Sequence, residues 1–248
     1  MRRISIDFIG AICATIAALI ALPALSRDTG KRVVVFHHGF SGICNACKLS
    51  GRALTDAVFS GGSFPESDFT RADLARANLS GGNFAGAIFT GANLESAEAI
   101  GANLADVNMT GATLRDSKFI GSNLRSARLL GVAAPRAQFM STVLALADLS
   151  DADFSGGDFS SLNGAGANFA RANLQSTVFS NANLTDARFD RARLSQARFN
   201  GANLSGANLS TAIGLSQRQF NRACGDERTL LPPDIGVSMC VRREPPPQ

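Results

Sequence analysis

The stretch ANLQS-TVFSN-ANLTD-ARFDR-ARLSQ-ARFNG-ANLSG, residues 172–206, is seven five-residue units joined without a gap. Each unit has a small residue first in six cases of seven Ala, and a Leu or Phe third. Followed outward, the same register runs from Cys47 to Ser216 as 34 units, with third positions from Leu49 to Gly214. Sixteen of these centres are Leu, thirteen are Phe and one is Met109, so only Ala99, Ala134, Gly164 and Gly214 depart from a large apolar residue. Ala fills 21 of the 34 places two residues before a centre. A strict short period means a stacked solenoid rather than an ordinary globular core. Positions two apart on an extended chain point to the same side. The small residue and the centre therefore face inward, and the other three positions face out or turn a corner.

The unit A-(D/N)-(L/F)-x-x, seen in ANLSG (202–206) and ADLAR (72–76), resembles the pentapeptide-repeat family over about two thirds of the chain. That resemblance implies an all-β solenoid, a right-handed quadrilateral β-helix in which four units make one square coil. Residues 20 apart then stack, and eight and a half coils rise roughly 40 Å at ~4.8 Å per layer. One face is expected to carry a ladder of Phe119, Phe139, Phe159, Phe179 and Phe199, and its neighbour a column of Leu54, Leu74, Leu94 and Leu114. The outward Asn78, Asn93, Asn103, Asn168, Asn183 and Asn203 are expected to bond turn backbones locally, as short amides do. At Leu162–Gly164 and Val132–Ala134 the bulk has moved from the centre to the small position, a volume-conserving exchange that packed cores tolerate best. Ala99 has no such partner, so a thin spot is expected there unless Ile100 turns in.

The ends read differently. Arg2 and Arg3, an apolar run from Phe8 to Leu22, and small residues at Ala24 and Ser26 make residues 1–26 a signal peptide. The alternative is an uncleaved inner-membrane anchor, since Phe8 to Leu25 is 18 residues, barely enough to span. Cys13 lies inside the run and is poorly placed for lipid attachment. Residues 27–46 form an N-terminal cap segment, residues 47–216 the array, and residues 217–248 a C-terminal cap and tail. An array must cover the open ends of its core. Ser216 to Gln219 has the S-x-x-Q form of a helix start, so a short capping helix carrying Phe220 and Ala223 and stopping at Gly225 is expected. Arg242 to Gln248 holds three successive prolines and is expected to be disordered. QFNRACGD (219–226), the later LPP and the final Cys240 resemble the tail of exported bacterial members of the family.

Export leaves Cys44, Cys47, Cys224 and Cys240, an even number in an oxidising compartment, which favours disulfides. Pairing is not fixed by sequence alone. Cys44–Cys47 and Cys224–Cys240 are preferred because the array holds the two pairs at opposite ends. The alternative is a metal site: His37, His38, Cys44 and Cys47 supply the ligand types and number that zinc needs. Against it, the spacing is shorter than common finger patterns, and adjacent histidines on a strand point to opposite faces.

Catalysis has little to work with. The chain has two histidines, neither inside the array, which excludes a Ser-His-Asp triad there. No phosphate-cradling G-x-x-x-x-G-K loop occurs, no cofactor is implied, and the protein reads as a non-enzyme. Thirteen of the seventeen Phe are centres, and Trp and Tyr are absent, so stacking platforms for sugars or single strands are not expected. The net charge of +4 lies in the flanks: the array holds 14 Lys plus Arg against 14 Asp plus Glu. Nucleic-acid binding, which needs a concentrated basic face, is not expected.

The reading is a non-catalytic structural or protein-interaction scaffold of the bacterial envelope, periplasmic or secreted, with a protein partner. Membrane contact is expected only through an uncleaved signal segment. The expected contact surface is the charged stretch from Asp148 to Arg198. Its acidic run is Asp148, Asp151, Asp153 and Asp158, and its basic run Arg188, Arg191, Arg193 and Arg198. Two alternatives remain. Some relatives mimic DNA in a topoisomerase, but those are cytoplasmic and acidic where this array is neutral. A metal-binding envelope protein is the other.

Overall fold

The computed structural model describes residues 42–240. The signal segment, His37, His38 and the tail from Arg242 to Gln248 lie outside the described residues. Within them the chain winds in 20-residue coils. Single residues before each centre pair in parallel with their equivalents 20 residues on, from Ile43 with Ser63 to Arg193 with Ile213. The ladder thus reaches back to Ile43, one unit before Cys47.

Four columns of centres define four faces. Face 1 carries Phe119, Phe139, Phe159, Phe179 and Phe199. Face 2 carries Phe64, Phe84 and Leu104, face 3 Phe69, Phe89 and Met109, and face 4 Leu54, Leu74 and Leu94.

Backbone hydrogen bonding explains the five-residue unit. In the unit Ala72–Arg76, Leu74 N–H donates to Asn93 C=O one coil on, at 2.7 Å, and Arg76 N–H to Glu95 C=O at 2.8 Å. Asp73 N–H donates to Arg52 C=O one coil back at 2.8 Å, and the next Ala77 N–H closes the turn onto Leu74 C=O at 3.0 Å. Ala75 N–H goes to the side chain of Asp73 at 3.3 Å. All five backbone donors are satisfied, which a buried ladder demands. The Asp or Asn before the centre is therefore a structural part. The six asparagines expected to act this way all accept from the N–H two residues on. Several also donate to the Asn or Asp one coil below, as Asn103 does to Asn83 at 2.9 Å.

Every corner from Ala46 to Gly206 places its second residue at positive φ, between +53° and +70°. With the bond from centre N-terminal to it closing the turn, this is the type II pattern, which favours Gly or Asn there. Gly fills many of these corners, but Asp, Arg and Ser fill most others.

Inside, the ladder forms as expected. Phe139 and Phe159 are wholly buried, and consecutive ring centroids from Phe119 to Phe199 lie 4.9–5.3 Å apart. Edge-to-face contacts, such as Phe154 against Phe159 at 5.3 Å, tie it to the neighbouring columns. Buried hydroxyls at small positions donate to backbone carbonyls: Ser122 to Phe119 at 2.7 Å, and Thr142 to Phe119 at 2.7 Å. No buried side-chain polar atom among the described residues lacks a partner.

The irregular units behave as volume arithmetic requires. Leu162 and Val132 are buried, and a Cβ at Gly164 would come within 2.7 Å of a Leu162 methyl. Ile100 stays outside at 41 % exposure, so only the Ala99 methyl fills that centre.

The C-terminal cap differs from expectation. In place of a helix through Ala223 there is one 3-10 turn, Gln217–Phe220, ending at Asn221. Its start is held by Ser216 N–H donating to Gln219 Oε1 at 2.5 Å. The chain then resumes the coil path with one extra residue by Cys224 and two by Leu230. Phe220 stacks on Phe199 at 5.1 Å, Cys224 pairs with Asn203 and Leu230 with Asn208. Two short strands follow, β1 (Cys224–Gly225) and β2 (Ser238–Met239), paired in parallel. The reason is the ladder itself. The last coil presents unpaired N–H and C=O groups, and another extended layer satisfies them where a helix would not. Phe199 N–H donates to Gln219 C=O at 2.8 Å and Leu204 N–H to Cys224 C=O at 2.7 Å.

Candidate functional surfaces

Side chains on the outside of such a ladder stand in straight columns, so the sites this fold can build are surfaces. The corners between faces 4 and 1 carry Asp56–Arg76 and Asp116–Arg136, and those between faces 3 and 4 carry Asp151–Arg171, each a two-toothed ion pair at 2.6–2.7 Å. The arginine hydrogen bond holds each of these aspartates below the usual carboxylate range. These pairs stand in solvent and add little to stability. They are corner supports.

The charged stretch expected as a contact surface does not form one patch. Asp148 lies on face 3, Asp151 at the next corner, Asp153 on face 4 and Asp158 on face 1. Arg188, Arg191, Arg193 and Arg198 repeat those places two coils on. They make two belts around three faces. Several of their charges are already engaged: Asp148 accepts from Asn168 at 3.0 Å, Asp153 from Asn173 at 2.9 Å, and Arg188 pairs with Asp190 at 3.0 Å.

A different surface, not singled out from sequence, lies one to two coils earlier. Between residues 126–130 and residues 146–150 of the next coil, face 3 has a shallow groove of about 350 Å³ lined by Ser126, Arg128, Leu130, Leu146 and Asp148 among others. Leu130 is 39 % and Leu146 58 % exposed. The register alone could have found it: Leu146 is the one large apolar residue at a corner position that elsewhere holds Gly or a small or polar residue.

At the ends, Cys44 joins Cys47 and Cys224 joins Cys240, with Cα atoms 5.8 and 4.8 Å apart. Cys44 and Cys47 are buried and face inward, as the backward-extended register requires. Among the described residues no group of three or more His, Cys, Asp or Glu could hold a metal; His37 and His38 of the alternative site lie outside those residues. Mass spectrometry of non-reduced peptides from the purified protein should find these two bridges. Free thiols with stoichiometric zinc would reverse the assignment in favour of the site at His37 and His38.

The cap also has its own electrostatic anchor. Burial acts to raise the Asp226 carboxyl, but hydrogen bonds from the Arg228 side chain, Gly206 N–H, Arg228 N–H and the Thr229 hydroxyl outweigh it and bring it down to about 2. The Gly206 bond, at 2.7 Å, ties the cap to the last regular corner. A folded-state value below the ordinary one of about 4 stabilises fully above that pH, and the contribution fades as pH falls toward about 2. Pepsin at stepwise lower pH should therefore cut within 221–240 before it cuts the array. Asp226→Asn should flatten that pH dependence. Equal cutting of cap and array throughout would contradict the anchor.

Among the described residues no helix is long and apolar enough to cross a membrane. A search of curated proteins finds no match to the sequence. Solved structures do match. HetL, a pentapeptide repeat protein involved in heterocyst differentiation regulation from the cyanobacterium Nostoc sp. strain PCC 7120, is 24 % identical. The match covers 78 % of this chain and 84 % of HetL, with a TM-score of 0.44. A trypsin-treated form of QnrB1, a plasmid-mediated fluoroquinolone resistance protein, is 19 % identical over 75 % of this chain and 91 % of its own, with a TM-score of 0.48. A pentapeptide repeat protein from the Arabidopsis thaliana thylakoid lumen is 31 % identical over 41 % of this chain and 64 % of its own, with a TM-score of 0.21. The family described as Pentapeptide repeats matches residues 54–91, 87–125, 147–186 and 177–213, in eight copies. With that match over more than half the sequence, and square coils built from its five-residue unit, the chain belongs to the pentapeptide-repeat family.

Proposed function

We propose that the protein is a non-catalytic scaffold of the bacterial cell envelope, exported to the periplasm or beyond, which holds a protein partner on its flat faces. The observation that carries the reading is the use of the side chains. The phenylalanines of the array are spent on the core, and the buried hydroxyls on the backbone. What remains outward is ordered columns of Asn, Asp, Arg and Ser, suited to presenting a surface. Export rests on the charged and apolar N-terminal sequence, and the paired cysteines accord with an oxidising compartment.

Fractionation with determination of the N-terminus tests it. The protein should be found outside the cytoplasm, beginning just after Ala24 or Ser26, and should retain an envelope partner on affinity capture. A cytoplasmic protein with an intact N-terminus that inhibits a topoisomerase below about 1 μM would replace this reading with DNA mimicry.

A further inference from the structure

We propose that the corner between faces 2 and 3 at Arg125–Leu146 is the docking surface for a protein segment that alternates acidic and large apolar side chains. The proposal deepens the scaffold reading and rests on it. Three separate observations meet at this place.

The first is Leu146. Its backbone is at φ +62°, a left-handed conformation uncommon for a non-glycine residue, and it holds a Leu side chain out at 58 % exposure. Neither burial nor backbone preference explains a leucine there. One coil on, the equivalent corner is Gly166, where an added Cβ would come within 2.9 Å of a Leu146 methyl. The leucine thus lies along the corner column, with Leu130 across the groove.

The second is charge. From Asp106 to Asp148 the chain holds five cations, Arg115, Lys118, Arg125, Arg128 and Arg136, and three anions, Asp106, Asp116 and Asp148. Asp148, which lines the groove, already accepts from Ser150 at 2.7 Å and Asn168 at 3.0 Å. Lys118 and Arg136 are paired, with Glu98 and Asp116. Arg125 and Arg128 are exposed, and no side-chain hydrogen bond or ion pair engages either among the described residues. They flank Ser126, directly below Leu146. Two free guanidiniums beside two exposed leucines complement carboxylates set next to apolar side chains, and Arg binds carboxylates in a two-toothed fork. The groove between the leucines is shallow and open to solvent, about 350 Å³.

The third is pattern. The family match lapses over residues 126–146, between its segments 87–125 and 147–186. The coil geometry continues through that gap without interruption. Both sides of the unit depart there: Val132, Ala134 and Thr142 inside, and Leu130, Met140, Val143 and Leu146 outside.

The test uses fluorescence anisotropy of two labelled twelve-residue peptides on the purified protein. One alternates Glu or Asp with Leu or Phe, and the other replaces every acid with Lys. The acidic peptide should bind and the Lys peptide should not. Leu146→Asp and Arg128→Glu should each weaken binding about tenfold or more, as loss of a central anchor does, while Arg71→Glu at a distant corner leaves it unchanged. Leu146→Asp should fold normally, because Asp56, Asp106, Asp116, Asp151 and Asp186 occupy equivalent positive-φ corners.

Equal binding by the variants, or absence of binding, would overturn the proposal. So would attachment to phosphatidylglycerol vesicles in place of the peptide, or self-association in sedimentation abolished by Leu146→Asp. An envelope partner captured equally well by the Leu146→Asp protein would leave the scaffold standing and remove this surface from it.

Discussion

Phe159→Ala should destabilise the protein by roughly 3–5 kcal/mol, the usual range for a buried Phe reduced to Ala. The ring is wholly buried. It stacks on Phe139 at 4.9 Å and Phe179 at 5.3 Å, and meets the edges of Phe154 at 5.3 Å and Phe169 at 6.3 Å. Those neighbours are fixed by ladder hydrogen bonds above and below, so the coil cannot collapse into the space. Arg198→Ala, on an exposed column of the same face, should change stability by no more than about 0.5 kcal/mol. Denaturant midpoints for the two variants check the result, and equal midpoints would contradict a load carried by the ring ladder. Nearest-neighbour coupling in stacked repeats adds a second expectation. The transition of Phe159→Ala should broaden, because the weakened coil separates two halves that are each still stacked.

Leu162→Ala should cost roughly 2–5 kcal/mol, and adding Gly164→Leu should recover most of it. In the structure the Leu162 side chain fills the space that the centre at Gly164 leaves: a Cβ on Gly164 would lie 2.7 Å from Leu162 and 3.2 Å from Leu184. Gly164→Leu alone therefore overpacks, at a cost of roughly 1–3 kcal/mol. With Leu162 reduced to Ala, the unit reads A-N-L, the pattern of its neighbours, and the leucine enters the column of Leu144 and Leu184. Gly164 has no positive φ that would forbid the side chain. A double-mutant cycle by urea unfolding should show a favourable coupling of 0.5–3 kcal/mol, the range for residues in contact. Additive losses would mean that the two positions do not share one volume.

How far the fold could be read from sequence differs from part to part. Phe139 and Phe159 face inward because a two-residue alternation within a five-residue period leaves them no other side, and the sequence displays that period directly. The column Asn83, Asn103 and Asn123 likewise follows once the coil length is known. The cap did not follow. Ser216 to Gln219 carries a sound helix-start signal, but the demand of the last coil for backbone partners outweighs that local preference and draws the chain back into an extended layer after Phe220. Leu146 was legible by its place in the register and is significant only through its surroundings. That Arg125 and Arg128 stand below it unpaired, and that Leu130 faces it across a groove, is a matter of positions 16 to 21 residues apart. The acidic and basic runs illustrate the opposite error. Adjacent in sequence, Asp148 to Asp158 are carried by the coil onto three faces.

By itself the sequence determined the inward set, the small-and-large alternation and the length of the array, since each depends on the direction of side chains along one extended chain. The tertiary structure alone decided the form of the cap, the ion pairs at the corners and the grouping of outward residues into surfaces. The reason is physical. Inward positions are selected unit by unit by burial, a local property repeated 34 times. An outward neighbourhood is made by residues 20 apart, and only the closed square coil brings them together.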